Sequence, residues 1–217
     1  EANVRRGGGV FILSTGKFTQ KRWFRHAGLS DGIWQTDCAG QQSKPVLSLA
    51  EIQEGMWEDK NSIYRECRSL VIDLQKEEIV TCPFRKFFNL NEVEENNINK
   101  IQKDIEKAKI FEITNKLDGS MQCARWYNND IFMNGSMALD ENDSFRLKEG
   151  ISMLNDNYKR MIKENQDYTF IFEYISLKDA HVVLYNKSQE GLYLIGIRNC
   201  YTGEELSYEN IKVFSKK

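Results

Sequence analysis

The chain has little histidine, no paired cysteine motif, no long apolar run and no excess of either charge. Each shortage excludes a class of protein. Only His26 and His181 could supply imidazole among 217 residues, which excludes a histidine-rich metal site. The five cysteines, Cys38, Cys67, Cys82, Cys123 and Cys200, are scattered, odd in number and form no Cys-x-x-Cys pair. That spacing argues against a zinc ribbon and a secreted disulfide scaffold, and it favours a reducing, cytoplasmic setting. No apolar stretch approaches the ~20 residues of a membrane-spanning helix, so no membrane partner is expected. No charged-then-apolar signal peptide opens the chain. Lys and Arg total 30 against 32 Asp and Glu, a formal net charge of −2. Bulk charge therefore announces no nucleic acid, and such a partner would need a local basic patch.

What remains is an ordinary folded composition, 41% hydrophobic and 29% charged, long enough for one large domain or two small ones. Residues 1–26 hold Arg5, Arg6, Lys17, Lys21, Arg22 and Arg25 against the single acid Glu1, with Trp23 and Phe24 among them. Aromatics interleaved with cations suit single-stranded nucleic acid. A solvated basic edge with rings packed inward fits the same residues. Residues 10–13 are a short strand candidate, 35–47 a loop, and 48–56 a short helix capped by Ser48. Residues 1–60 are read as an N-terminal subdomain or extension, hinged near 35–60, and 61–217 as the main domain.

In that main domain, 69–74 and 79–89 are expected strands joined by a turn at 75–78. Residues 92–109 carry Ile98, Ile101, Ile105 and Ala108 at helical spacing, which predicts an amphipathic helix packed on a sheet. Strands are expected at 121–127, 131–134, 168–175, 180–185 and 191–199, with one long helix over 144–164 and a short one near the end. Strands joined mostly by short turns, with two intervening helices, predict an α+β fold with largely antiparallel sheets.

Two features call for chemistry. Residues 111–120 read Phe-Glu-Ile-Thr-Asn-Lys-Leu-Asp-Gly-Ser. The first five are expected to form a strand, with Lys116 where it runs out and Gly119 allowing close backbone approach. Lys116 is then either a covalent nucleophile or phosphate contact, or an ordinary hairpin lysine. In the strand 168–175, Tyr168, Phe170, Phe172 and Tyr174 point one way and Thr169, Ile171, Glu173 and Ile175 the other. A carboxylate midway through so apolar a strand needs a cation, a metal or a hydroxyl to meet it.

Four signals stand in order: Arg68 in Glu-Cys-Arg-Ser-Leu-Val-Ile-Asp, Lys86 in Pro-Phe-Arg-Lys-Phe-Phe-Asn, Lys116 in Lys-Leu-Asp-Gly-Ser, and Glu173 in Phe-Ile-Phe-Glu-Tyr-Ile-Ser. Together they resemble the ATP-dependent RNA ligases of the T4 RNA ligase 1 type, members of the covalent nucleotidyltransferases. The resemblance runs from about Tyr64 to Gly203. It implies a nucleotidyltransferase (ATP-grasp-like) fold, ATP and Mg2+, and RNA 5′-phosphate and 3′-hydroxyl ends as partners. It implies that Lys116 attacks the ATP α-phosphate to become lysyl-AMP, in an ATP site that also includes Asp118 and Gly119. Arg68 and Lys86 would contact phosphates, and their charge would lower the pKa of a lysine whose ordinary value is ~10.4. Glu173 would bind ribose or help hold the metal. His181–Tyr185, with Val183, would pack near the adenine, and Gly135-Ser136 resembles a further family element.

Two other motifs of the family, a metal-binding Glu-Gly and a Lys-x-Lys that contacts the α-phosphate, are not matched convincingly. Glu190-Gly191 falls too early, and Lys212 and Lys216-Lys217 lack a strand context. The chain is therefore expected to be a C-terminally truncated ligase, weak or inactive in adenylylation. Two rival readings share the pattern: a capping-type guanylyltransferase, and a non-catalytic nucleotide- or RNA-binding module of the same fold.

Overall fold

The computed structural model describes residues 11–13, 63–66, 68–73, 76–136, 138–139, 141 and 144–215. Apart from 11–13, the basic stretch 1–26, the loop and helix expected over 35–56, and the hinge and boundary near residue 60 lie outside the described residues.

Two sheets organise the rest. The first is β1 (Phe11–Leu13), β2 (Val71–Asp73) and β3 (Glu78–Thr81), with β1 parallel and β3 antiparallel to β2. The second contains β4 (Ser120–Tyr127), β5 (Asp130–Gly135), β6 (Tyr168–Ile175) and β7 (Gly191–Asn199), in the order β5-β4-β6-β7 and wholly antiparallel. Asn128 and Asn129 both adopt positive φ, 52° and 65°, which lets a two-residue turn join β4 to β5. Helices α1 (Ile98–Lys107), α2 (Phe145–Met153), α3 (Asp156–Glu164) and α4 (Tyr208–Ser215) complete an α+β domain. No helix among the described residues is long and apolar enough to cross a membrane.

The second sheet carries the main core. Ala124, Met133, Phe170, Phe172, Tyr174, Leu192 and Ile197 meet Leu147, Leu154, Met161, Ile162 and Ile211 from the helical side. The opposite face is covered too. Phe84 lies over Gly196, so closely that a Cβ there would enter its ring. The Cys82 amide donates to Thr169 Oγ1 at 2.9 Å, and buried Arg198 donates to Pro83 O at 2.7 Å and to Glu66 at 2.6 Å. Strand β6 is thus sealed on both faces, and Phe170, Ile171 and Phe172 are fully buried. Each such side chain contributes about 1.5–3 kcal/mol of burial.

Five expectations are corrected. The strand expected over 79–89 stops early: β3 is Glu78–Thr81, and residues 82–89 form no strand. Residues 111–118 form no strand. An extended segment needs a neighbour to receive its backbone hydrogen bonds, and this one has none among the described residues. Residues 180–185 form no strand either, because the Val182 and Val183 amides are held by a side chain, Asp118, instead of a ladder. The long helix over 144–164 is two helices. Leu154 ends α2, and Asn155 caps α3 by accepting from the Tyr158 amide at 2.9 Å. Helix α1 forms with Asn97 as its cap, yet none of its residues is buried, so it is not packed on a sheet as expected.

Candidate active site at the Lys116 turn

Lys116 lies in the irregular segment just before β4, and its side chain is exposed. The turn that follows is fastened at three successive residues. Asp118 Oδ2 accepts from the Val182 and Val183 amides, both at 2.8 Å. The Asp118 amide donates to the Tyr185 hydroxyl at 2.9 Å. The Gly119 amide donates to Glu173 Oε1 at 2.8 Å. Ser120 Oγ donates to Asp179 Oδ2 at 2.6 Å.

Register explains why these groups meet. Ser120 pairs with Tyr174 and Met121 with Glu173, so the start of β4 lies beside the end of β6. Glu173 also pairs with Tyr193 near the start of β7. Gly119 runs against the β6 backbone, where a Cβ would press into the Tyr174 carbonyl oxygen and against Ile175. Only glycine permits that approach, and with it the Glu173 hydrogen bond. The partner that the Glu173 carboxylate needs is therefore a backbone amide.

The electrostatics follow the contacts. Burial pushes the Glu173 carboxyl above its usual range, and the Gly119 amide with the nearby Lys116 and His181 charges pulls it part of the way back. Asp118 moves the opposite way. The Val183 amide, then the Val182 amide, outweigh its partial burial and hold it below the usual range, aided by His181 and Lys116. Asp179 is more deeply placed. Burial raises its carboxyl, but the donors Ser120, Arg146 and His181 together bring it below the usual range.

Arg68 and Lys86 each lie over an aromatic ring. Exposed Arg68 lies 5.7 Å over the Phe87 ring, and Lys86 lies 4.7 Å over the Phe88 ring. Among the described residues no hydrogen bond, ion pair or ring contact joins either to Lys116. The turn thus gathers Lys116, Asp118, Gly119, Glu173 and Val183.

Ser136 follows β5, whose Gly135 pairs with Gln122, and its carbonyl accepts from Ser69 Oγ at 3.1 Å. Asp179 and Arg146 carry no mark in the sequence. Asp179 sits in a short turn with no periodicity, and Arg146 is one of two cations on α2, with Lys148.

For Mg2+, Glu173 is a fitting oxygen donor. One carboxylate oxygen is taken by Gly119, and no hydrogen bond to the other occurs among the described residues. Those residues contain no cluster of three or more His, Cys, Asp or Glu side chains arranged for a metal. Magnesium needs no such cage when phosphates and water supply most of its ligands.

These features define an α+β domain with a lysine-centred polar site at one end of an antiparallel sheet. The RNA ligase family model, of the T4 RNA ligase 1 type, matches residues 66–217, and the chain belongs to that family. No curated protein matches it.

Proposed function

We propose that the domain is the adenylyltransferase part of an ATP-dependent RNA ligase with a nucleotidyltransferase fold. Lys116 is its nucleophile. The observation that carries this reading is the fastening of the Lys-Leu-Asp-Gly turn to Glu173 on one side and to the 182–185 loop on the other. That leaves the lysine exposed beside a carboxylate and an apolar loop.

Lys116 Nζ, after losing a proton, donates its lone pair to the α-phosphorus of ATP. A P–N bond forms, the bond to the bridging oxygen breaks, and pyrophosphate leaves. An oxygen of the RNA 5′-phosphate then attacks the same phosphorus and releases Lys116. The RNA 3′-hydroxyl next attacks the activated 5′-phosphorus, loses its proton and displaces AMP. Gly119 lets the backbone approach the nucleotide, Glu173 meets the ribose or holds Mg2+, and Val183 packs near the base. When bound through Glu173 and the phosphates, Mg2+ offsets the triphosphate charge.

Incubation with ATP and Mg2+, read by intact mass, is expected to give an AMP adduct that is lost in Lys116→Ala. An adduct present in both proteins would rule out Lys116. GTP in place of ATP tests the capping-type alternative, which predicts a GMP adduct instead.

A non-catalytic binding module of the same fold is the second reading. It is favoured by one observation: Arg68 and Lys86, the expected phosphate contacts, lie over the Phe87 and Phe88 rings. Nucleotide binding without any adduct would support it.

A further inference from the structure

The turn Leu177–Asp179 follows β6 directly, and Asp179 is its last residue. The Asp179 side chain is only 4% exposed, yet it is an acid in a short surface turn. Three groups from three segments converge on it. Ser120 Oγ donates to Oδ2 at 2.6 Å from the start of β4. Arg146 Nε donates to Oδ1 at 2.6 Å from the first turn of α2. His181 Nε2 lies 3.2 Å from Oδ2, at the head of the 181–185 loop. The neighbouring Lys178 pairs with Glu149, which also accepts from Tyr174 OH at 2.5 Å, so the turn is tied to α2 twice.

These contacts close a ring. From Lys116 the chain passes through Asp118 to the Val182 and Val183 amides, back along the loop to His181, across to Asp179, and over to Ser120. Asp118 holds the far part of the loop and Asp179 holds its root. Without Asp179, Ser120 and His181 lose their common acceptor, and the charge of Arg146 loses its buried partner. A buried carboxylate surrounded by three donors keeps a single geometry, because any other leaves a buried polar group unpaired.

We propose that Asp179 is a positioning residue. Its carboxylate clamps the Lys116 turn, the 181–185 loop and helix α2 into one frame, and so fixes the position from which Lys116 reacts. This rests on the ligase reading for the reactivity of Lys116, but the clamp itself does not depend on it.

The test compares the unmodified protein with Asp179→Ala, Asp179→Asn and Arg146→Gln. Two readouts are used: hydrogen exchange, and lysyl-adenylate formation with ATP and Mg2+. Asp179→Ala is expected to raise exchange in 116–120 and 181–184 while the central amides of β4 and β6 stay protected. The rate at saturating ATP should fall about 100-fold, as for a misplaced reacting group. The apparent KM for ATP should move less than about threefold. Asp179→Asn retains an acceptor oxygen and should recover part of both readouts. Arg146→Gln should loosen the same two segments to a smaller degree.

Unchanged exchange in both segments would overturn the clamp. Uniform loss of protection across β4 and β6 in both Asp179 variants would overturn it too, since that is merely a damaged core. A KM rise with an unaffected rate would overturn the link to Lys116. If the unmodified protein forms no adduct, the ligase reading fails, and the exchange measurement still decides the clamp.

Discussion

Lys116 separates two stretches that look alike in sequence and behave differently in the fold. Behind it, residues 110–115 carry Ile110, Phe111 and Ile113, which are 71%, 58% and 85% exposed. Ahead of it, β4 runs from Ser120 to Tyr127, and Gln122, Cys123, Ala124 and Arg125 are all buried. Both stretches are rich in strand-forming residues. The difference lies in their neighbours: β4 has β5 on one side and β6 on the other, whereas 111–118 has no ladder among the described residues. Strand propensity expresses how well a side chain fits a pleated, half-buried surface, and it has nothing to act on where no surface is supplied. The candidate nucleophile therefore hangs from a rigid sheet by the residues that follow it.

The largest effect that tests this contrast is truncation of matched aromatics on the two sides. Phe172 is fully buried and meets the Tyr158 ring edge-on at 5.0 Å. Phe172→Ala is expected to cost about 3–5 kcal/mol by denaturant unfolding. Phe111→Ala is expected to stay within about 0.5 kcal/mol. Similar losses from both would show that the two stretches are equally covered, and the comparison would fail.

Next in size is the junction. Gly119→Ala must move the turn away from the Tyr174 carbonyl, because the strand backbone cannot yield. The expected loss is about 1–3 kcal/mol. Adenylate formation should fall further than stability does, since the Gly119–Glu173 hydrogen bond is broken beside Lys116. A Gly119→Ala protein with normal labelling would show that close approach at this residue is not needed.

How much of this was legible in the sequence depends on whether the deciding partner is local. Strand β6 has the bounds that its alternation predicts, and β7 runs over the nine residues expected of it. Their own side chains carry the pattern. The pairing of β2 with β3 was readable from its turn, although β3 ends at Thr81 and not at residue 89. That Glu173 needs a polar partner was readable from its apolar strand, and the Gly119 amide is that partner. The segments that failed were those decided elsewhere in the chain. Residues 180–185 look like a strand until Asp118, more than 60 residues away in sequence, takes two of their amides. Residues 111–115 look like a strand until one asks what would pair with them. Asp179 was invisible because three distant donors define it and no spacing announces them.

Acid should loosen the turn in a predictable direction. Asp118 and Asp179 have folded values below the ordinary 3.8, so each adds stability that is fully present above that value. That contribution is lost as pH falls through the folded value. Glu173 is raised above its ordinary 4.5, so its contribution is present below 4.5 and is lost as pH rises through the folded value. Protection factors in 118–120 and 181–183, corrected for intrinsic exchange, should therefore fall as pH drops below 3.8. The central amides of β6 should hold to lower pH. Simultaneous loss in both places would mean that the turn is no weaker than the sheet it hangs from.

The smallest effect gives the cleanest version of the contrast, because the chemical change is identical on both sides. Ile113→Val and Ile171→Val each remove one methylene. Ile171 is fully buried, and the cavity left there should cost about 0.5–1.5 kcal/mol. Ile113 is exposed, so no buried area is lost and no cavity forms, and its unfolding midpoint and slope should match those of the unmodified protein. Propensity favours neither variant, since both residues are β-branched. Any difference between them thus measures what covers each side chain in the folded protein. A loss at Ile113 equal to that at Ile171 would mean that the stretch before Lys116 is packed against something, and the lysine would then be held from both directions.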